Sequence, residues 1–453
     1  MDQALFSELV EQVSPWRPGG GVPRLRRPER RQVALRAVSL EDLVAADHRV
    51  RLVWRFVEGL DLSRLFAGIK AVEGHPGHPP ADPRLLVALW LYATVEGIGS
   101  ARALDRLCRE HVAFQWLCGG VGMNHKTLSD FRVGHGAVLE RLLVDSFAAL
   151  MTAGVASLER VAQDGVRVRA AAGAASFRRH TTLQDCRRRA KAEVERLRRE
   201  LDADPAVASR RQAAARLAAA ENRERRVAEA LAITESLHAA GEARARTRAA
   251  KDDGSDGDGP RGTAPEPEPR ASTTDPQARV MKMADGGFRP AYNVQFAADT
   301  KSGAVAGVAV DNVGSDMGKM APMNDALADA YGRRPAEHLA DGGFARLDDI
   351  EALAGNGVTA FVPVPAPKDK TRDRFAPRPD DPPGVADWRR RMSSEHAGAV
   401  YKERAATAEC VNAQARNRGL TRFLVRGTDK VKAIALWHAL AHNMACGWRL
   451  LPT

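Results

Sequence analysis

The chain has 453 residues, and 68 Lys and Arg against 57 Asp and Glu give it a formal net charge of +11. At roughly 150 residues per domain this length predicts about two or three domains. Hydrophobic residues make up 44% of the chain, which is enough to bury a core and excludes a wholly disordered protein. The basic balance, with a sequence pI near 9.7, favours a polyanionic partner, and nucleic acid more often than a membrane.

Cysteine usage and the first residues indicate a cytoplasmic protein with reduced thiols. The five cysteines are scattered and form no CxxC pair, which argues against a disulfide framework and against a zinc knuckle. The N-terminal residues include acidic side chains and lack the apolar core of a signal peptide. The longest apolar run, residues 85–95, is about half the length of a bilayer span.

The N-terminal third divides by pattern into a basic arm and a helical region. Residues 1–45 are irregular and rich in arginine, so they form either a solvated arm or a phosphate-contacting one. Residues 46–158 show helical periodicity, and Asp82 before Pro83 predicts the start of a helix. Short helices follow, and then a long helix over about residues 127–151. This pattern is typical of a helical DNA-binding domain, but it is equally typical of other small helical bundles.

Alternation of apolar and polar residues predicts a series of strands after the helical region. The first strand covers residues 161–170, and residues 291–300 and 304–313 predict a hairpin. Two more short strands, separated by helices, are expected near residues 338–341 and 359–365. This order predicts an α/β fold with a mixed sheet flanked by helices.

A long segment rich in alanine and arginine separates the first strand from the second. Residues 186–250 carry apolar side chains near heptad spacing with an interruption at Pro205, which predicts a helical hairpin or a coiled-coil arm. Residues 251–270 combine Gly, Pro and acidic residues and predict a disordered linker.

Three acidic residues occupy positions at which an active site could form. Asp164 lies inside the first strand, and Asp341 ends a buried strand, where ligands of α/β sheets collect. Glu409 lies on a helix with Asn412 and Arg416 near the same face. Converging carboxylates repel each other and are stable mainly around divalent cations. Taken singly, each acid is more often a cap, a turn residue or a solvated side chain.

Basic residues dominate the segment around Glu409. Residues 401–453 hold nine Lys and Arg against three Asp and Glu, a net charge of +6. This excess predicts contacts with DNA phosphates. The candidates are Arg418, Arg422, Arg426, Lys430 and Lys432.

These motifs together resemble the DDE transposases of bacterial insertion sequences, over nearly all of residues 47–451. The stretch that begins HPPADPRLLVALW and ends TLSDFR resembles the N-terminal helical domain of that family. VAQDGVRVRA, STTDPQAR with YNVQFAAD, and LADGGFA resemble the strands of the catalytic core and their approaches. YKERAATAECVNAQARNRG resembles the helix that carries the Tyr-Arg-Glu-Lys signature.

The resemblance implies an RNase H-like catalytic core, divided by the insertion into residues 159–185 and 271–453. It implies that Asp164, Asp341 and Glu409 are catalytic and hold two Mg²⁺ ions, with Mn²⁺ as an alternative. The implied reaction is phosphodiester cleavage at the element ends, followed by strand transfer into target DNA.

The signature helix implies DNA contacts but departs from the family pattern. Tyr401, Arg404, Asn412 and Arg416 would contact DNA beside the catalytic Glu409. Four residues separate Arg404 from Glu409 where the signature has three, and Arg416 replaces the usual Lys, which keeps the charge but changes its geometry.

The expected partner is double-stranded DNA, as terminal inverted repeats and as target. Two ends must be paired, which predicts a homodimer on DNA, and the expected location is the cytoplasm, at the nucleoid. Two other interpretations stay open. One is a catalytically inactive or domesticated DNA-binding relative, and the other is a coiled-coil interaction protein built on residues 186–250, which leaves the strand motifs unexplained.

Overall fold

The computed structural model describes residues 39–72, 78–203, 207–252, 268–367, 369 and 371–451. Most of the basic arm predicted for residues 1–45 lies outside these ranges, and so does most of the linker predicted for residues 251–270. None of the helices within the described ranges has the length and apolar character needed to cross a membrane. The domain boundaries stay predictions.

Seven α-helices form the N-terminal part of the described chain. They are α1 (Arg49–Glu58), α2 (Ser63–Ala67), α3 (Pro83–Val95), α4 (Ala101–Glu110), α5 (Val112–Cys118), α6 (His125–Gly134) and α7 (Gly136–Thr152). Helix α3 begins as predicted, because the Asp82 carboxylate accepts a hydrogen bond of 2.7 Å from the Arg84 N–H. Helix α3 is buried along most of its length and therefore forms the centre of the bundle.

The single helix predicted over residues 127–151 is wrong at its centre. Helix α6 ends at Gly134, α7 begins at Gly136, and His135 between them has φ −125° and ψ 38°. Each glycine weakens a helix by about 1 kcal/mol relative to alanine. The apolar periodicity continues on both sides of the break, so periodicity alone does not reveal it.

Eight strands lie within the described residues. They are β1 (Arg160–Arg169), β2 (Phe177–Arg179), β3 (Arg270–Ser272), β4 (Arg279–Lys282), β5 (Phe288–Asp299), β6 (Val305–Asp311), β7 (Glu337–Leu339) and β8 (Thr359–Phe361). Six of them form a mixed sheet in the order β4-β5-β1-β7-β8, with β6 also paired to β5. Strand β1 is antiparallel to β5 and parallel to β7, which is parallel to β8. The prediction of an RNase H-like mixed sheet is confirmed.

The insertion between the first and second strands of this sheet is a pair of helices, as predicted. Helix α8 (His180–Ala203) packs along α9 (Val207–Asp252). Arg198 and Glu221 form an ion pair of 2.7 Å between the two helices. Strands β2 and β3 form a separate two-stranded sheet, which sequence alternation does not predict. This sheet pairs the residues just before α8 with the residues just after the linker.

The remaining helices cover the sheet. They are α10 (Met320–Tyr331), α11 (Leu347–Gly355), α12 (Pro383–Met392), α13 (Glu395–Arg404), α14 (Cys410–Asn417) and α15 (Thr428–Leu450). Helix α15 packs on α7, on α3 and on β6, and one hydrophobic core contains residues of the N-terminal helices, of β1 and β5, and of α15. The N-terminal helices and the sheet are therefore held together by shared apolar burial.

Helix α15 also satisfies the backbone of strand β6. The buried Asn443 accepts a hydrogen bond of 2.7 Å from the Val305 N–H through Oδ1 and donates one of 2.9 Å to the Val305 carbonyl through Nδ2. One amide side chain thus satisfies two buried backbone groups, which would be costly to leave without partners.

We expect Asn443→Leu to lower the free energy of unfolding by about 2–4 kcal/mol, because both Val305 groups lose their partner. Urea denaturation followed by circular dichroism measures the change. The control is Asn356→Leu, since the exposed Asn356 side chain donates to the Ala352 carbonyl and to no other group of the described chain, and this variant should lose less than about 1 kcal/mol. Equal losses in the two variants would contradict the assigned role of Asn443.

Candidate active site

Strands β1 and β7 bring two of the predicted catalytic acids side by side. Their parallel pairing aligns Ala162 with Leu339. The pairing ends there, and Asp164 and Asp341 each follow this last pair by two residues. The two carboxylates are close enough for the charge of Asp341 to act on Asp164. The Asp341 carboxylate also accepts a hydrogen bond of 2.7 Å from the Gly343 N–H, which fixes the turn after β7.

The electrostatic environment of Asp164 disfavours its charged form. Burial raises the pKa of Asp164 above its ordinary value, and the neighbouring Asp341 carboxylate raises it further. A hydrogen bond of 2.9 Å from the Gly165 N–H and the charge of Arg404, whose Nη1 lies 3.9 Å from Asp164 Oδ2, oppose this rise only in part. The pair of aspartates therefore concentrates negative charge that the protein does not fully compensate.

Two side chains from the predicted signature helix reach Asp164 from the other side. Asn412 is buried, and its Nδ2 donates a hydrogen bond of 3.0 Å to Asp164 Oδ2. The Arg404 guanidinium lies between the acids, since its Nη2 also pairs with Glu409 Oε1 at 2.8 Å. It lies 5.7 Å from the centre of the Tyr401 ring as well. Four predicted site residues thus gather around Asp164, although they are distant from it in sequence.

A π-helical turn accommodates the extra residue in the signature helix. Residues Ala405–Glu409 form this turn between α13 and α14. A π turn closes hydrogen bonds from residue i to i+5 and so takes up one residue more than an α turn. Arg404 and Glu409, five positions apart, therefore meet as residues four apart meet on an α-helix. The departure from the family spacing is absorbed locally and leaves the contact in place.

The three predicted catalytic carboxylates do not assemble into one group. Among the residues that the structure describes, no three His, Cys, Asp or Glu side chains lie close enough together to hold a metal ion. Glu409 pairs with Arg404 instead and is 58% exposed. The ion pair with Arg404 spares Glu409 the repulsion that it would meet beside the two aspartates.

The predicted phosphate contacts differ in exposure. Arg416, Arg422, Arg426 and Lys430 are exposed, whereas Arg418 is partly buried. Burial lowers the pKa of the Arg418 guanidinium. The roles of these side chains stay predictions.

Sequence reasoning missed a polar cluster on the opposite face of β1 and β5. Asp316 Oδ1 accepts hydrogen bonds of 2.6 Å from Asn293 and 2.7 Å from Gln295, and Arg167 approaches the other oxygen at 3.5 Å. The sequence does contain a signal for this cluster, because polar residues recur at every second position in strands that are otherwise apolar.

Gly165 makes room for this cluster directly behind the catalytic candidate Asp164. A Cβ atom at position 165 would lie 2.3 Å from Asp316 Oδ1 and 2.5 Å from Gln295 Nε2, which no side chain can tolerate without displacement. The glycine after Asp164 is therefore required by packing on one face of β1, while Asp164 itself occupies the other face.

Two family models match the chain. Residues 38–133 match the family Transposase domain (DUF772), and residues 263–444 match the family Transposase DDE domain. The chain belongs to the insertion-sequence DDE transposases. No curated protein and no solved structure matches it. In this transposase Asp341 and Glu409 fall within the second matched region, whereas Asp164 lies between the two regions, ahead of the helical insertion.

The π turn makes a deletion testable in this transposase. Removing the exposed Ala406 should convert the turn into regular α-helix and keep Arg404 opposite Glu409, with a loss of stability below about 1 kcal/mol. Removing Ala413 from α14 is the control, because it rotates all later residues by about 100° and displaces buried side chains, which should lower stability by at least about 3 kcal/mol. Chemical denaturation measures both, and a larger loss for the Ala406 deletion would disprove the interpretation.

Proposed function

We propose that this transposase cleaves phosphodiester bonds at the ends of its element and transfers the freed strands into target DNA, with divalent metal ions. The observation that supports the proposal is that the parallel pairing of β1 with β7 ends two residues before Asp164 and Asp341, whose carboxylates interact, while Arg404 contacts both Asp164 and Glu409. The family gives a DNA substrate, and this arrangement of acids supports phosphoryl transfer as the reaction on it.

The donor set fits divalent cations. Asp164, Asp341 and Glu409 offer only carboxylate oxygens, which are the ligands that Mg²⁺ prefers, with Mn²⁺ as an alternative. Burial, and then the neighbouring Asp341 carboxylate, raise the pKa of Asp164, and a bound cation would favour its charged form. Transposases with this domain normally use divalent metals. Two such ions, when bound, would activate water or a 3′-hydroxyl and stabilise the leaving oxygen.

The chain's own residues hold the acids in position for this chemistry. Asn412 and the Gly165 N–H each contact one oxygen of Asp164, so the carboxylate has a fixed orientation. Glu409 is 58% exposed and shares Arg404 with Asp164, so it would complete the set of acids that hold the ions. Arg404 would offer its guanidinium to a DNA phosphate, which is a bidentate acceptor.

DNA would approach along the exposed basic residues of the C-terminal segment. Arg416, Arg422, Arg426 and Lys430 are exposed, and Tyr401 lies at the edge of the acidic site. Such side chains bind the phosphate backbone without reading sequence. We propose terminal inverted repeats and target DNA as the two substrates, a homodimer that pairs the two ends, and the nucleoid in the cytoplasm as the place of action.

A second candidate function is DNA binding without catalysis, as in an inactive or domesticated relative. Its supporting observation is that no three acids are grouped for metal binding among the described residues. The presence of all three acids, with the carboxylates of Asp164 and Asp341 close enough to interact, favours the enzyme.

Cleavage of a duplex that carries the element's terminal repeat tests the enzyme directly. We expect Mg²⁺-dependent cleavage by the native chain and a loss of at least about a hundredfold for Asp164→Asn, Asp341→Asn and Glu409→Gln. Asp348→Asn is the matched control, because Asp348 is an exposed acid that pairs only with Arg346 among the described residues, and its rate should be unchanged. Repeat-specific binding with no cleavage by the native chain would establish the second candidate instead.

Thermal stability gives a test that does not depend on activity. Because the pKa of Asp164 is raised in the folded protein, its charged form destabilises the fold at neutral pH, and this penalty disappears as the pH falls through the raised value. In EDTA at pH 7.5, Asp164→Asn should therefore raise the melting temperature by about 2–4 °C. Asn412 can turn its unpaired Oδ1 toward the new amide group.

Magnesium should remove the advantage in melting temperature that Asp164→Asn has over the native chain in EDTA. Adding MgCl₂ should raise the melting temperature of the native chain by about 2–4 °C, as expected at roughly ten times the dissociation constant, and should leave Asp164→Asn unchanged. The advantage of the variant in EDTA should shrink as the pH is lowered from neutral. Equal stabilisation of both chains by Mg²⁺ would place the ion elsewhere.

A further inference from the structure

A second charged site lies away from the acids, where the N-terminal helices meet the segment between α14 and α15. A cavity of about 250 Å³ opens there, lined by Arg132, Arg418 and His438, with the exposed Arg422 at its edge. Its two walls touch at Gly419, where a Cβ atom would lie 3.1 Å from the carbonyl oxygen of the α3–α4 loop. The cavity is therefore built by a close contact between distant parts of the chain.

Arg132 is a buried cation that has no acidic partner among the residues the structure describes. Its residue is 7% exposed, its guanidinium stacks 4.4 Å from the Trp90 ring, and one Nη atom donates to the Gly99 carbonyl. Its Nε atom finds no hydrogen-bond partner in the described ranges. Burial lowers the pKa of Arg132 to about 10, so the side chain keeps its charge at neutral pH.

Arg418 and His438 add two more unpartnered donors to the same cavity. Arg418 Nη1 and His438 Nδ1 are buried and have no hydrogen-bond partner within the described chain. His438 is 5% exposed, and burial, with the charges of Arg132 and Arg418, lowers its pKa to about 3. The imidazole is therefore neutral and can donate one N–H. None of the residues that line the cavity is acidic.

An oxyanion is the ligand that this cavity fits. Two partly or fully buried guanidinium groups without a carboxylate are costly, since burial weakens their hydration and no internal charge replaces it. Water would satisfy the free N–H groups but not the charge. The cavity has room for an anion with several acceptor oxygens, because a water molecule occupies only about 30 Å³. Arginine pairs with phosphate through short, charge-assisted hydrogen bonds.

We propose that this cavity binds a backbone phosphate of the DNA on which the transposase acts, an inference that rests on the proposed function. The cavity is tied to the catalytic strand, because the Arg169 N–H donates to the Thr421 carbonyl at 3.2 Å and the Phe423 N–H donates to the Arg169 carbonyl at 2.8 Å. Arg169 follows Asp164 by five residues, or about 16 Å of strand. That distance corresponds to about five base-pair steps, so one duplex can reach the acids and the cavity together.

Inorganic phosphate is the first probe. It should raise the melting temperature of the native chain in a saturable way at constant ionic strength, with chloride as the reference. Arg418→Met should weaken phosphate binding by about tenfold or more, since it removes one charge-assisted contact. Thr421→Asp provides a variant that leaves the interior intact, because Thr421 is exposed, and its new charge at the cavity edge should have the same effect.

Arg390→Met is the matched control, because Arg390 is exposed on α12 and its loss changes the net charge equally. It should bind phosphate like the native chain. Equal phosphate binding by the native chain, Arg418→Met and Thr421→Asp would overturn the proposal and leave the cavity to water.

DNA binding decides the source of the phosphate. For a duplex with the terminal repeat, Arg418→Met should weaken binding and reduce the slope of log affinity against log salt by about 1, relative to Arg390→Met. An unchanged slope together with lost phosphate binding would overturn the DNA assignment in favour of a free anion. Neither readout requires cleavage, so failure here is distinguishable from failure of the proposed catalysis.

Discussion

The parallel pairing of β1 with β7 is the constraint on which the candidate site depends. A shift of one residue in this register would turn one aspartate to the opposite face of the sheet and separate the pair. Burial and the neighbouring Asp341 carboxylate together raise the pKa of Asp164, and apolar burial on both faces of the sheet holds the strands in place. In the proposed function a divalent cation would offset this electrostatic cost.

The C-terminal helices serve this site from one side while they bind the N-terminal helices with the other. Asn412 reaches Asp164 from α14, and α15 continues into the core shared with α3 and α7. The segment between these two helices forms one wall of the cavity that contains Arg418. A single stretch of chain therefore links the acids, the cavity and the N-terminal bundle. Displacement of the N-terminal helices would reach β1, the strand that carries Asp164, through packed side chains.

Much of the fold could be predicted from the sequence, because its main elements follow strong local patterns. The alternation in β1, β5 and β6 and the Asp82–Pro83 helix start are local signals, and all appear in the structure. The short strands β2, β3 and β4 could not be predicted in this way, because pairing with distant residues, rather than their own three or four residues, defines them. The break at His135 was hidden by apolar spacing that is helical on both sides.

The candidate site was less predictable, since its geometry comes from long-range contacts. The sequence predicted that Asp164 lies inside a strand and that Asp341 follows one. The hydrogen bond from Asn412 to Asp164 and the packing role of Gly165 could not be predicted, because they depend on contacts between elements. The extra residue between Arg404 and Glu409 departs from the family spacing, and the sequence does not show how the two side chains could still meet. The π turn brings them into contact. Asp316 is the centre of a polar cluster because it accepts hydrogen bonds from Asn293 and Gln295, more than twenty residues away in the chain.

The charges of this protein are arranged in two complementary ways, and that complementarity connects the two proposed sites. Near Asp164 the chain gathers acids that lack enough positive charge, and around Arg132 and Arg418 it buries cations that lack any acid among the described residues. The two groups cannot neutralise each other, because each lies fixed in its own part of the fold. Under the two proposals, DNA with its metal ions would supply both missing partners at once, a cation for the acids and phosphates for the arginines. Binding of the substrate would therefore relieve the electrostatic cost at the acids and the one at the buried arginines. Both gains would contribute to affinity only when one duplex occupies the two sites together.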